Sequence, residues 1–163
     1  MRRRLILAAL GLSLGACGFR LRGEQAIALK TIYLATPPNS PVGAEIARNL
    51  RAAGDVTLVS ERKQAQGIVE LLGETRDREV LAVNAQGRAR EFTLRLSTRF
   101  RVVAPDGTEL LAPTTLSARR DISINDADIL AREQEEGLLY RDMQSDIVRQ
   151  MINRIAAIRP DAA

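Results

Sequence analysis

The stretch Glu91–Val102, with the sequence EFTLRLSTRFRV, decides the fold class of this chain. Its even-numbered positions are apolar apart from Thr98, and its odd-numbered positions are charged or carry a hydroxyl group. Successive side chains of a β-strand point to opposite faces of the sheet. The pattern therefore predicts a strand with one buried and one solvent-facing side, in which Phe92 and Phe100 belong to the core.

Two further strands are expected on either side of this stretch. Ile68–Val83 is strand-like with a polar middle, and it is followed by the turn sequence Asn84–Gly87. The tight-turn sequence Pro105–Gly107 precedes the second of them, Glu109–Ile124. These segments predict antiparallel hairpins that are longer than usual. Pro113 cannot donate a backbone hydrogen bond, so its strand is expected at a sheet edge or at a bulge.

The segment before these hairpins predicts a strand, a helix and a second strand. Leu29–Ala35 and Val56–Val59 are the expected strands. Between them, Ser40 followed by Pro41 is a helix start, and Gly54 is a helix end. Val42, Ile46, Leu50 and Ala53 are expected on the buried face of this helix. Because the joints are short, the two strands should be parallel.

A long amphipathic helix is predicted over residues 126–159, with a cap at Asn125 and a possible kink at Gly137. Met143, Ile147, Met151 and Ile155 recur every four residues, which predicts one apolar stripe packed in the core. The fold class is therefore α+β, a mixed β-sheet (a βαβ start plus long antiparallel hairpins) with two helices packed on one face.

The N-terminus predicts a lipoprotein. Arg2–Arg4 form a basic head, and the apolar run Leu5–Leu14 is too short to cross a bilayer of ~30 Å. Leu14–Cys17 reads LGAC, a lipobox, and Cys17 is the single cysteine of the chain. We expect Cys17 to be lipidated; the alternative is an ordinary signal peptide that ends near a cysteine.

These features divide the chain into three parts. Residues 1–16 are expected to be a lipoprotein signal peptide, residues 17–28 a lipidated N-terminus and tether, and residues 29–160 a single α+β domain. Three of the 24 basic residues would leave with the signal peptide. The mature chain would then be close to neutral, which does not favour a nucleic-acid partner.

Composition argues against an enzyme. The chain has no histidine, so imidazole catalysis and histidine metal sites are excluded. Lipidation would remove the only thiol, and no Gly-rich phosphate loop is present. With no Trp and two Tyr, a carbohydrate-binding cleft is also poorly supported. We expect no catalytic residues and no metal. The only non-protein groups that we expect are a diacylglycerol and an acyl chain, such as palmitate, on Cys17.

The segment Cys17–Gly23, CGFRLRG, resembles the start of mature LptE-family proteins, the LPS-assembly lipoproteins. The order of elements is also similar to that family, so the resemblance spans essentially the mature chain. It implies a lipoprotein anchored on the periplasmic side of the outer membrane, with which Gly18 agrees. It further implies that the protein forms a complex with the LptD β-barrel, plugs it, binds lipopolysaccharide and assists its assembly at the cell surface, without catalysis.

Under this resemblance, Arg88, Arg90 and Arg132 are the candidate lipopolysaccharide-binding residues. Lipid A carries phosphates, which guanidinium groups bind well. Arg88 and Arg90 follow the Asn84–Gly87 turn, and Arg132 lies early in the last helix. The solvent-facing Arg95, Arg99 and Arg101 are candidates for contact with the polar wall of a barrel. The alternative for each of these arginines is ordinary surface charge.

Two other functions stay open at this point. The chain is compatible with a periplasmic auxiliary lipoprotein of an ABC-type lipid-transport system, which would act as an adaptor without a barrel. An envelope enzyme that uses Asp and Glu chemistry is the second alternative, and a required pair of carboxylates would reveal it.

Overall fold

The computed structural model describes residues 27–123 and 129–159. The predicted signal peptide, Cys17, most of the tether, the Asn125 cap and Pro160 lie outside these residues. The elements are β1 (Thr31–Ala35), α1 (Pro41–Ala53), β2 (Thr57–Leu58), a 3-10 turn (Arg62–Gln64), β3 (Gly67–Val83), β4 (Ala89–Val103), β5 (Glu109–Ser123) and α2 (Ile129–Ala156).

The five strands form one mixed sheet in the order β2-β1-β3-β4-β5. β1 is parallel to both β2 and β3, whereas β3–β4 and β4–β5 are antiparallel pairs. The predicted fold class and the parallel βαβ start are therefore confirmed. β2 is shorter than predicted, since only Thr57 and Leu58 are paired in register with β1.

Helix α1 begins and ends at the predicted residues. The Ser40 hydroxyl accepts a hydrogen bond from the Gly43 amide at 2.8 Å, and Gly54 adopts a left-handed φ of 74°. Val42, Ile46 and Leu50 are fully buried. Ala53 was predicted on the same face but is exposed, because it is the last residue of the helix.

Both helices cover one face of the sheet and enclose the larger of two apolar clusters in the described residues. The apolar face of β4 and the stripe of α2 meet there, as predicted. α2 runs unbroken through Gly137 over 28 residues. Packing of its apolar side chains offsets the roughly 1 kcal/mol by which glycine weakens a helix relative to alanine. Ile27, in the predicted tether, is only 3% exposed and already belongs to this core.

Pro113 lies in an edge strand and at a bulge, which confirms both expectations. β5 is the last strand of the sheet. Phe100 pairs with Thr114, whereas Val102 pairs with Leu111, so β5 carries one extra residue at Pro113. The missing amide therefore interrupts the ladder where it is already irregular.

Candidate functional site

The end of the β3–β4 hairpin is a tight turn that fixes the position of Arg88. The Asn84 amide donates to the Arg88 carbonyl at 2.8 Å, and the Gly87 amide donates to the Asn84 carbonyl at 2.9 Å. The Asn84 side-chain oxygen accepts from the amides of Gln86 and Arg88 at 3.0 and 2.9 Å. Gly87 has a φ of 75°, which glycine adopts without strain. The predicted turn is confirmed, and it leaves Arg88 exposed.

Two β-bulges lie directly behind this turn. Leu81 is an extra residue on β3 and Arg90 is an extra residue on β4, and the Ala82–Glu91 pair lies between them. A bulge changes the direction of the side chain that it carries and increases the local twist. An apolar side chain and an arginine are therefore both displaced from the regular alternation of the sheet at the same point of the hairpin.

Three apolar side chains stand exposed beside these bulges. Val80, Leu81 and Val83 are 52%, 57% and 59% exposed, and we call them the tip strip. From the sequence they were expected to be ordinary strand residues. Their signal in the sequence is an apolar run directly after the polar segment Thr75–Glu79.

Arg132 lies half-buried on α2. The Tyr140 hydroxyl donates to the Asp77 carbonyl at 3.0 Å, and one helical turn earlier Glu136 forms an ion pair with Arg78 at 3.2 Å. Contacts thus move toward the hairpin turn as α2 is followed back to its start. Arg132 lies one helical turn further toward the start of α2.

The face of the sheet opposite the helices carries the other predicted arginines. Arg95 and Arg99 are exposed there. Arg101 is engaged, since its Nε donates to Glu70 at 2.7 Å, and Arg62 forms a second ion pair with the same carboxylate. Two hydrogen bonds hold the pKa of Glu70 below its usual value; the one from Arg101 has the larger effect and the one from Arg62 the smaller. Arg101 is therefore less available to a partner than Arg95 or Arg99.

The predicted apolar stripe of α2 is core, as expected. Its members pack in one core with the phenylalanines of β4, and all six side chains are buried: Phe92, Phe100, Met143, Ile147, Met151 and Ile155. Thr98, the one polar residue in the β4 face, is fully buried, and its hydroxyl has no hydrogen-bond partner. These side chains pack against one another, so any lipid contact has to lie on the surface.

Within residues 27–123 and 129–159, no group of acidic, cysteine or histidine side chains is arranged to hold a metal ion. No helix in the same part of the chain is long and apolar enough to cross a membrane.

A family model described as "LptE: Lipopolysaccharide-assembly" matches residues 29–155 of this chain. The chain belongs to the LptE family. The predicted resemblance is thereby confirmed over the α+β domain, and LptE proteins are lipopolysaccharide-assembly lipoproteins rather than a known family of enzymes or cofactor-binding proteins.

Curated LptE proteins are similar to this chain over nearly its whole length. The LPS-assembly lipoprotein LptE of Photorhabdus laumondii is 24% identical over 164 residues, which cover 97% of this chain and 88% of that protein. The LptE of Yersinia enterocolitica is 25% identical over 97% of this chain and 78% of that protein.

Solved structures share the fold. An uncharacterized lipoprotein B from Nitrosomonas europaea superposes with a TM-score of 0.74 at 27% identity, over 86% of this chain and 91% of that one. The rare lipoprotein B from Shewanella oneidensis has a TM-score of 0.69 at 21% identity, over 78% of this chain and 95% of that one. The second of these similarities concerns the fold alone.

Proposed function

We propose that this LptE-family chain is an outer-membrane lipoprotein that binds lipopolysaccharide and plugs an LptD-like β-barrel. The proposal rests on the end of the β3–β4 hairpin. There the exposed Arg88 directly follows a hydrogen-bonded turn and lies next to the bulge at Arg90. In a family of lipopolysaccharide-assembly proteins, such an arginine-bearing end is the surface best suited to an anionic lipid.

In this proposal the N-terminus supplies the membrane anchor. The signal peptide, residues 1–16, is removed, and Cys17 receives a diacylglycerol and an acyl chain. Residues 17–28 connect that anchor to the domain of residues 29–160, on the periplasmic side of the outer membrane. Two or more acyl chains give stable membrane attachment, whereas a single chain gives only marginal binding. No catalytic step and no other cofactor belong to the proposal.

Arginines at the end of the hairpin would bind the phosphates of lipid A. A guanidinium group donates two parallel hydrogen bonds to a phosphate and stays charged at every relevant pH. Arg88 follows the turn that precedes β4, Arg90 lies in β4 and Arg132 lies in α2, so the three would approach a headgroup from the hairpin and from the helix. This arrangement supports recognition of a headgroup with more than one phosphate.

The exposed face of the sheet is the surface that we propose for contact with the barrel. Arg95 lies directly opposite Arg119 in the β4–β5 register, and both are exposed. Like charges opposite each other on a sheet are unfavourable unless an anionic group lies nearby. Neighbouring Ser97 and Ser117 add hydroxyl groups that suit a polar barrel wall.

Co-purification tests the partner. The tagged mature protein is extracted from its native outer membrane in mild detergent, and the recovered proteins are identified by mass spectrometry. We expect one large β-barrel protein in a near 1:1 ratio that resists salt. Recovery of transporter subunits or soluble periplasmic proteins without a barrel would contradict the proposal and favour the ABC-type auxiliary lipoprotein.

Charge reversal tests the lipid site. Arg88→Glu places an anion where a phosphate is expected, so we predict that lipopolysaccharide binding weakens by about tenfold or more, a loss typical of a charge-assisted contact. The control is Arg48→Glu, a reversal of an equally exposed arginine on α1. Equal binding by both variants and the unaltered protein would remove Arg88 from the site.

A further inference from the structure

We propose that the tip strip is an acyl-chain subsite, which binds the hydrocarbon tails of the same lipid whose phosphates the neighbouring arginines bind. The inference rests on the proposed function and extends it, since the proposed function uses only charged groups at the end of the β3–β4 hairpin.

Exposure is the first observation behind the inference. Val80, Leu81 and Val83 account for three of the five large hydrophobic side chains that stand exposed in the described residues. They lie within four consecutive positions of one strand. Single exposed apolar residues need no explanation, but a contiguous exposed set on a protein surface marks a site of contact.

The tip strip differs in composition from the segment of β3 that precedes it. Thr75–Glu79 belongs to the same strand, is similarly exposed, and consists entirely of polar or charged residues. The only requirement on an exposed hairpin arm is that water solvates it, which polar residues satisfy. The change from TRDRE to VLAV within this arm therefore indicates a second requirement that begins at Val80.

The bulges bring the apolar and cationic groups to one place. Leu81 and Arg90 are the two residues displaced from the ladder, on either side of the Ala82–Glu91 pair. Beyond that pair the hairpin has no third strand in the described residues, since the β4–β5 register begins at Glu91 and Ser123. Apolar side chains next to a guanidinium at a narrow two-stranded end suit a ligand that is both acylated and anionic.

Charge complementarity favours a lipid over an apolar protein surface. Exposed Arg88 borders the strip, and a purely apolar partner surface would leave its charge desolvated and unpaired. A phosphorylated, acylated lipid satisfies both groups at once. The occupant to which we commit is therefore lipopolysaccharide, with its acyl chains on the strip.

The test compares ligands that differ in one chemical feature. The full lipidated protein is transferred into amphipol, and its binding to intact lipopolysaccharide, alkali-deacylated lipopolysaccharide and dephosphorylated lipopolysaccharide is measured. The test variant is Val80→Ser/Leu81→Ser/Val83→Ser. The matched control is Leu72→Ser/Leu138→Ser, which removes two similarly exposed apolar side chains outside the strip.

We expect the test variant to bind intact lipopolysaccharide about tenfold more weakly and to bind the deacylated form as the unaltered protein does. The control variant should bind all three ligands normally. Leu81→Asn, a single change at the bulge, should show a smaller loss with the same ligand dependence. Thermal unfolding monitored by circular dichroism should confirm that each variant is folded.

Several results would overturn the inference. One is normal binding of intact lipopolysaccharide by the folded test variant, and another is an equal loss in the control. If the test variant loses the same factor toward phosphatidylglycerol vesicles, the strip contacts membranes in general rather than lipopolysaccharide. If the unaltered protein fails to bind lipopolysaccharide at all, the proposed function itself fails, which distinguishes the two proposals.

Discussion

The two ends of strand β3 lie in different surroundings, although they belong to one continuous strand. Over Gly67–Glu70 the strand lies between β1 and β4, and Ile68 and Val69 are 2% and 0% exposed. From Leu72 onward it pairs only with β4, and none of its residues is buried. The length of β1, five residues, therefore sets the point at which β3 becomes an edge strand.

Strand β4 shows what happens when both neighbours persist. It pairs with β3 on one side and with β5 on the other over nearly its whole length, and its alternation of buried and exposed residues continues throughout. The edge part of β3 instead carries charged residues and bulges at Leu72 and Leu81, which discourage pairing with a further strand. Its Arg76 and Arg78 lie over the rings of Tyr140 and Phe92 at 5.3 and 4.1 Å.

The largest expected effect separates the two phenylalanines of β4. Phe100, opposite Leu71 near the fully flanked end, has no exposed surface, whereas Phe92 is 8% exposed beneath Arg78. We expect Phe100→Ala to lower the free energy of unfolding by about 4 kcal/mol and Phe92→Ala by about half as much, because water can enter the second site. Urea unfolding measures the free energy of unfolding of both variants, and equal losses would contradict the expected difference between the two sites.

The same contrast should appear within β3. Val69 is fully buried, whereas Val80 is 52% exposed. Val69→Ala should destabilise the protein by about 2 kcal/mol, and Val80→Ala should change the free energy of unfolding by less than about 0.5 kcal/mol. The comparison is contradicted if Val80→Ala proves as costly as Val69→Ala in the same urea titration.

Thr98 lies opposite Glu74, where β3 has already lost its outer neighbour. Its buried hydroxyl has no hydrogen-bond partner, so the nearly isosteric Thr98→Val should stabilise the protein by about 1 kcal/mol. Thr93→Val is the matched control, because the Thr93 hydroxyl donates to Asp121 at 2.6 Å. A higher melting temperature for the first variant only would support this account, and a lower one would indicate that the hydroxyl has a partner.

The smallest expected effect concerns Glu70, the last β3 residue paired with β1. Arg101 and Arg62 lower its pKa in the folded state, so the ion pairs stabilise the protein above the ordinary carboxyl pKa. This stability is lost as the pH falls through the lowered pKa. Between pH 6 and pH 3 the free energy of unfolding, measured by urea titration, should therefore fall more for the unaltered protein than for Glu70→Gln, by less than about 1 kcal/mol. Parallel pH profiles would show that the pairing contributes nothing.

Much of the fold could be predicted because local physical signals agreed with the global structure. The Ser40 cap, the left-handed Gly54 and the Asn84–Gly87 turn act through backbone geometry within a few residues, and all three were predicted. The alternation of β4 was readable because one face is buried along its entire length. The limits of β2 could not be predicted, since its pairing with β1 depends on the geometry of the neighbouring strand rather than on the apolar run itself.

The candidate site divides in the same way. The arginines near the hairpin turn were predicted from their charge, from turn chemistry and from the family resemblance, and their role in lipid binding stays a prediction. The tip strip was missed, because an apolar run in a strand predicts burial unless the strand is known to have lost its neighbour. The engagement of Arg101 by Glu70 joins residues 31 positions apart, and nothing in the local sequence indicates it.

The α+β class, the order of the elements and the family could be predicted from the sequence alone, because periodicity, caps, turns and short motifs are local, and the lipoprotein signal stays a prediction. Only the tertiary structure decided which side chains of β3 are buried, which arginines are already paired and where apolar residues remain exposed. These properties depend on strand neighbours and helix packing, which bring together residues far apart in the chain, so they become determined only when the sheet is assembled.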